Sequence, residues 1–103
     1  MQATARDMMR LEDKAEEAAE FLKLIANPHR LLVLCNLVAA REMSVGELAA
    51  AVDLSQSALS QHLAKLREDG IVATRREAQT VFYRVADKNV ARLLALLKDI
   101  YCP

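Results

Sequence analysis

Apolar residues recur through the first quarter of the chain at alternating steps of three and four: Met8, Leu11, Ala15, Ala18, Leu22 and Ile25. That spacing draws one stripe along a helix. Glu12, Asp13, Glu16, Glu17 and Glu20 fall on the other faces, so a single amphipathic helix with a heptad-like seam is expected. Asn27-Pro28 ends it and starts the next, because Asn is a good N-cap and proline is tolerated at the first helical position. From Pro28 to about Ala40 the chain is apolar nearly all round (Leu31, Leu32, Val33, Leu34, Cys35, Leu37, Val38), the pattern of a central buried helix. Ser44 with Glu47 three residues later makes a capping box, and Val45, Leu48, Ala49 and Val52 continue a short helix. Asp53-Leu54 is a tight connection. Ser55 caps a further helix that runs to about Asp69 and stops at Gly70, a usual C-terminal residue. Two short helices joined by such a turn make a helix-turn-helix.

Beyond Gly70 the period changes from helical to alternating. Ile71 to Arg76 and Thr80 to Ala86 are rich in β-branched and aromatic residues and flank Glu77-Ala78-Gln79, which predicts a hairpin. Asp87 caps a last helix through about Tyr101. The expected fold is mainly α with a small β-hairpin: a winged helix-turn-helix in one domain over 1–103, with the helix-turn-helix at about 44–69 and the wing at about 71–86.

Length and composition narrow the class. A chain of 103 residues, 53% hydrophobic and with only two glycines and two prolines, supports one helical domain with a modest core. The longest apolar runs, Leu31 to Cys35 and Leu93 to Leu97, are far shorter than the roughly 20 residues that span a bilayer. Arg6, Asp7 and Arg10, with no apolar stretch after them, argue against a signal peptide. A cytoplasmic protein without a membrane partner is expected. Two cysteines do not make a disulfide framework, and no CxxC, HExxH, GxGxxG or GxxxxGK[ST] pattern occurs. His29 and His62, the only histidines, pair with no credible nucleophile, so no catalytic residue and no enzyme activity are expected.

The second helix of the motif carries the functional expectation. On a helical wheel Leu63 and Leu66 fall within about 40° of Leu59 and mark the buried face, while Ser57, Ser60, Gln61 and Ala64 cluster roughly opposite. Small residues with hydroxyls and amides suit entry into a major groove, where they bond base edges or phosphates. The fourteen bases and fourteen acids of the chain cancel, yet residues 55–86 hold five bases (Lys65, Arg67, Arg75, Arg76, Arg84) against three acids (Glu68, Asp69, Glu77). A local surplus is enough, because phosphate attraction depends on the contacts made. Arg75 and Arg76 beside the hairpin tip, with Gln79 at it, read either as a wing that grips phosphate or a minor groove, or as edge-strand charge that discourages aggregation. The last helix (Val90, Leu93, Leu94, Leu96, Leu97, Ile100, Tyr101) and the first both carry more apolar surface than one packing face needs. A homodimer through those two helices is expected, reading a roughly palindromic double-stranded DNA operator.

Asn27-Pro28-His29-Arg30-Leu31-Leu32-Val33-Leu34, Ser55-Gln56-Ser57-Ala58-Leu59-Ser60-Gln61-His62-Leu63 and Leu66-Arg67-Glu68-Asp69-Gly70-Ile71-Val72 together resemble the ArsR/SmtB family of bacterial winged-helix repressors, over roughly residues 8 to 101. The resemblance implies a dimeric repressor that leaves its operator when an inducer is sensed. It implies recognition-helix contacts from Gln56, Ser57, Ser60, Gln61 and His62, joined by Lys65. His62 lies about 60° from the leucine face, so packing or capping and base contact are both open to it. The hairpin tip lacks the glycine that many family wings carry.

Many relatives in that family sense metals, but the ligands are missing here. Where one family site uses a Cys-x-Cys stretch, this chain has Ser44, Val45, Gly46, Glu47 and Leu48. At the other, Asp87 remains while Asn89 and Ile100 replace histidines. No set suits zinc or another transition metal, and no cofactor is expected. What remains is Cys35 on the second helix and Cys102 at the end of the last. Their placement is similar to that in the subgroup of the family that responds to sulfide-derived persulfides. This implies redox sensing by Cys35 and Cys102, which become linked by a disulfide or polysulfide bridge when reactive sulfur species act as inducer. Read alone, Cys35 is equally a small buried hydrophobe and Cys102 an idle tail residue. A repressor answering a general oxidant or small ligand, and a helical interaction module that binds no DNA, are the alternatives.

Overall fold

The computed structural model describes residues 2–102. These form six helices and three strands in the order α1 (Ala5–Glu12), α2 (Ala15–Ile25), α3 (Pro28–Ala40), β1 (Met43–Ser44), α4 (Val45–Val52), α5 (Gln56–Glu68), β2 (Val72–Glu77), β3 (Thr80–Val85) and α6 (Lys88–Tyr101). The winged helix-turn-helix is present, with α4 and α5 as the motif and β2–β3 as the wing.

Local caps set the helix starts. The Asn27 side chain accepts from the His29 and Arg30 amides at the head of α3. Ser44 and Glu47 exchange both bonds of a capping box, Ser55 accepts from the Ala58 amide, and Asp87 accepts from the Asn89 and Val90 amides. Each satisfies donors that a helix N-terminus otherwise leaves unpaired. Asp53 adopts the left-handed conformation, φ 53°, and makes the tight α4–α5 connection. At the other end of α5 the Ile71 amide reaches the Leu66 carbonyl and the Gly70 amide the Arg67 carbonyl. This is a Schellman closure, with Gly70 at the left-handed φ of 76° that the motif requires.

Three expectations need correction. The first helix is not continuous: it divides into α1 and α2 at Asp13-Lys14, where the Lys14 amide bonds back three residues to Leu11 and closes α1. Glu16 and Glu17 then stand in the first turn of α2, where negative charge favours a helix start, and Thr4 with Asp7 gives α1 a capping box of its own. The expected seam therefore does not enter the core as one stripe. Ile25 is buried, with Phe21 and Leu24 packed beside the core, while Met8, Leu11 and Leu22 are about half exposed, at 48%, 47% and 50%. The sheet also has a third strand, since β1 pairs antiparallel with β3 (Met43 with Tyr83, Ser44 with Phe82), giving the order β1-β3-β2. Finally, Glu77 belongs to β2 and pairs with Thr80, so the hairpin turn is Ala78-Gln79 alone.

The core joins every layer. Val33, Leu34 and Leu37 of α3, Leu48 of α4, Leu59 and Leu66 of α5 and Val90 of α6 are wholly buried, with Ile71 and Val72 at the root of the wing. No single helix among the described residues is long and apolar enough to cross a membrane.

Ala78 holds φ 55° at the hairpin tip, a conformation that costs a residue with a Cβ about 1–2 kcal/mol. Ala78→Gly is expected to raise stability by about 1 kcal/mol in urea denaturation. An unchanged or lower midpoint would show that the tip carries no such strain.

Candidate nucleic-acid interface and thiol pair

The α5 surface follows from its leucines. Leu59, Leu63 and Leu66 are buried, which turns Gln56, Ser57, Ser60, Gln61, Ala64 and Lys65 to solvent. The N-terminal turns present hydroxyls and amides and no carboxylate. Ser55 and Ser57 hydroxyls lie 3.4 Å apart. Lys65 rests 3.4 Å from Asp69 one turn on, a pair near the surface of the kind that contributes little to stability.

His62 sits differently. It is half-buried, and its Nδ1 accepts a hydrogen bond from Arg30 Nε at 3.3 Å. The same guanidinium donates through Nη1 to the Leu24 carbonyl at 3.0 Å. Arg30 thus ties the end of α2 and the head of α3 to the middle of α5. The His29 and His62 ring centres are 6.0 Å apart. Burial chiefly, then the Arg30 charge and then His29, holds the His62 pKa below the usual imidazole value, so the ring is neutral at neutral pH and its Nδ1 is free to accept. Of the two roles open to His62, the geometry displays the packing one.

The wing cations divide. Arg75 donates from Nε to both Glu42 oxygens at 3.0 and 2.9 Å, pairs through Nη2 with Glu42, and donates from Nη1 to Glu77 at 3.0 Å. Its guanidinium also stacks over the Phe82 ring at 4.7 Å. The bond from Arg75 holds the Glu42 carboxyl below the ordinary glutamate range. Arg75 is therefore engaged within the protomer, joining β2 to the residue before β1. Arg76, its neighbour on the other face of the strand, is exposed and enters none of the ion pairs found among the described residues. Gln79 is exposed at the tip.

Cys35 and Cys102 are both free and exposed. Cys35 lies on the outer side of α3, on a groove shared with α6, and Cys102 caps the end of α6. Partial burial, and then the charge of Cys102, raise the Cys35 pKa above the ordinary thiol value. The two thiols stand 67 positions apart in sequence, one on a helix that lines this groove and one at the end of the other. The fully buried reading of Cys35 is thereby corrected: α3 buries Val33, Leu34 and Leu37 and leaves position 35 outside. Among the described residues, no three His, Cys, Asp or Glu side chains gather to hold a metal ion.

Local sequence pattern points to no role for Arg30, Glu42 or Phe82, although Arg30 stands within the Asn27–Leu34 stretch. The partners of Arg30 and Arg75 are 32 and 33 positions away, and no local pattern signals them.

The neutral His62 predicts a pH dependence. Unfolded, the imidazole protonates near 6.5; folded, it resists protonation to lower pH. The native state thus binds fewer protons, and its advantage is complete above pH 6.5 and shrinks as the pH falls below it. Urea denaturation is expected to show stability declining from pH 7 to pH 5, with a smaller decline in His62→Gln. An equal decline in both proteins would contradict the Arg30–His62 assignment.

Known proteins share this architecture. The sequence pattern of the bacterial regulatory proteins of the arsR family matches residues 27–74, from the head of α3 into the wing. The chain is 49% identical over 96 residues to the transcriptional activator HlyU of Vibrio cholerae, covering 93% of this chain and 88% of that protein. It is 51% identical over 92 residues to the biofilm growth-associated repressor of Agrobacterium fabrum, covering 89% and 78%. The crystal structure of the transcriptional repressor BigR from Xylella fastidiosa aligns with a TM-score of 0.85 at 42% identity, over 98% of this chain and 99% of that one. With nearly its whole length shared at such identity, and with α4, α5 and the wing arranged alike, the chain belongs to the arsR family of bacterial regulatory proteins and is a winged-helix transcriptional regulator, not an enzyme.

Proposed function

We propose that the chain is a homodimeric transcriptional repressor that binds a palindromic double-stranded DNA operator and releases it when persulfides link Cys35 to Cys102. The observation that carries this reading is the placement of two exposed thiols, Cys35 on the groove that α3 shares with α6 and Cys102 at the end of α6, helices packed on the core that also seats α5. Similarity to proteins named as repressors supports the DNA-binding half.

On DNA, Ser57, Ser60 and Gln61 meet base edges, with Gln56 and Lys65 beside them on phosphate or base, while Arg76 and Gln79 of the wing take the backbone or a minor groove. Arg75, neutralised by Glu42 and Glu77, positions the wing. His62 holds α5 through Arg30. The dimer uses α1 and α6, where Met8, Met9 and Leu11, and Leu96 and Ile100, remain exposed at 47% to 65%. Such apolar surface on a small domain marks an association face. A twofold dimer sets its two α5 helices about one DNA turn apart, roughly 34 Å.

The switch is a thiol–persulfide exchange. The Cys35 thiolate takes the outer sulfur of RSSH and RSH leaves, giving a Cys35 persulfide. The Cys102 thiolate then attacks the Cys35 Sγ, the bond to the outer sulfur breaks, and sulfide leaves. Two thiols lose two electrons, which reduce the transferred sulfur, and their protons end on RSH and sulfide. If a second RSSH also converts Cys102 to a persulfide, with RSH leaving, the Cys35 persulfide anion attacks the Cys102 Sγ and sulfide leaves; the resulting trisulfide bridge spans more distance than a disulfide.

A persulfide donor is expected to lower operator affinity at least about tenfold, or ~1.4 kcal/mol, measured by fluorescence anisotropy with intact mass recorded in parallel. Cys35→Ser and Cys102→Ser should stay bound. Release that persists in both variants would overturn the switch and leave DNA binding untouched; absence of any preferred duplex would overturn the reader.

A further inference from the structure

The groove beside Cys35 has a character that the exchange chemistry alone does not require. It encloses about 370 Å³ between α3 and α6, with Val38 and Ala39 on one wall, Ala91 and Ala95 on the other, and Lys98 and Asp99 at its end. This is within the lower range of small-molecule sites, about 300–1,000 Å³. Small side chains on both helices create the space. Ala91, Ala95 and Lys98 follow one another along α6 at steps of four and three and share one helical face on the groove, and Cys102 follows just beyond the end of that helix. Leu96 and Ile100 project about 100° and 140° round the helix from Ala95.

Its lining offers anions no free cation. The one cation among the lining residues, Lys98, is 3.7 Å from Asp99, and α6 ends here, bringing the negative pole of the helix. Arg41 and Arg84 stand outside it, in the adjoining space beyond Val38 and Ala91. An inorganic polysulfide anion or a carboxylate-bearing persulfide would lose hydration in an apolar cleft without an unpaired cation, whereas an uncharged carrier with short alkyl ends meets that cleft and a thiol at its wall.

We propose that the α3–α6 groove is a binding site for uncharged dialkyl polysulfides, which it presents to Cys35 in preference to anionic sulfur donors. The proposal rests on the thiol-switch reading and names the substrate class of that site. With a trisulfide RSSSR, the Cys35 thiolate attacks an outer sulfur, the bond from that sulfur to the central one breaks, and RSS⁻ leaves. The Cys102 thiolate then attacks the Cys35 Sγ and expels RS⁻. Two thiols are oxidised to one disulfide, one S–S bond of the trisulfide is reduced, and the two thiol protons end on RSSH and RSH. Both Ala39 and Ala95 are exposed, so a larger side chain at either fills the groove without entering the core.

The test measures the rate of Cys35 modification in the full chain by intact mass, with three probes: dipropyl trisulfide, its analogue with a carboxylate on each propyl end, and sodium tetrasulfide. Wild type is expected to react with dipropyl trisulfide at least about tenfold faster than with the dicarboxylate, once each rate is divided by that for free cysteine. Ala95→Phe should lose about tenfold with dipropyl trisulfide and less than about twofold with tetrasulfide, and Ala39→Phe should do the same. Equal rates for the charged and uncharged trisulfides, an unchanged rate in the filled variants, or an equal loss with all probes would overturn the proposal. The switch reading fails separately, if Cys35 is modified selectively and the operator remains bound.

Discussion

The structure depends on the burial of one face of α3. Val33, Leu34 and Leu37 are shut from solvent against Leu48, Leu59, Leu63 and Leu66 of the motif helices and against Val90 and Leu94 of α6. Removing such side chains typically costs about 2–5 kcal/mol each in a packed interior, so α3 cannot move alone. Proline at its first position and Asn27 as its cap fix where it starts, and the step of three or four between buried residues fixes which side faces out. Cys35 is outside for that reason, on the helix that everything else packs against.

Polar contacts extend that constraint to both reading elements. At the head of α3, Arg30 reaches His62 on α5 and the Leu24 carbonyl at the end of α2. Two residues beyond its last turn, Glu42 holds Arg75 on the wing. These bonds are modest individually, and exposed pairs contribute little to stability. Their value is geometric, since α3 carries a thiol in its middle and a tether near each end. Under the proposed function, a bond formed between Cys35 and Cys102 would act on a helix linked to both the recognition helix and the wing.

The local grammar of the fold was readable from the chain. Asn27, the Ser44–Glu47 box, Ser55, Gly70 and Asp87 set element boundaries through contacts no more than a few residues long, and the three α5 leucines showed which face was left to solvent. What depended on distant partners was not readable. The two-residue strand β1 exists only through its pairing with β3 about forty positions later, and it has no pattern of its own. The apolar period runs unbroken across Asp13-Lys14, so it hid the division of the first helix. The wing arginines look alike in sequence, yet Glu42 and Glu77 neutralise Arg75 and leave Arg76 free of ion pairs among the described residues. The cysteines were singled out by family resemblance, while the groove beside Cys35 emerged only when Ala39, Ala91 and Ala95 were brought face to face.

The central claim is that joining two sulfurs on α3 and α6 moves the reading heads of a dimer. It is tested most directly by spin labels at Ala64, on the exposed side of α5, with the distance between the two labels of a dimer measured by pulsed electron resonance before and after the Cys35–Cys102 bridge forms. The account predicts one distance distribution matched to a DNA turn in the reduced protein and a displaced one in the bridged protein, reversed by a thiol reductant. Superimposable distributions in the two states would contradict it.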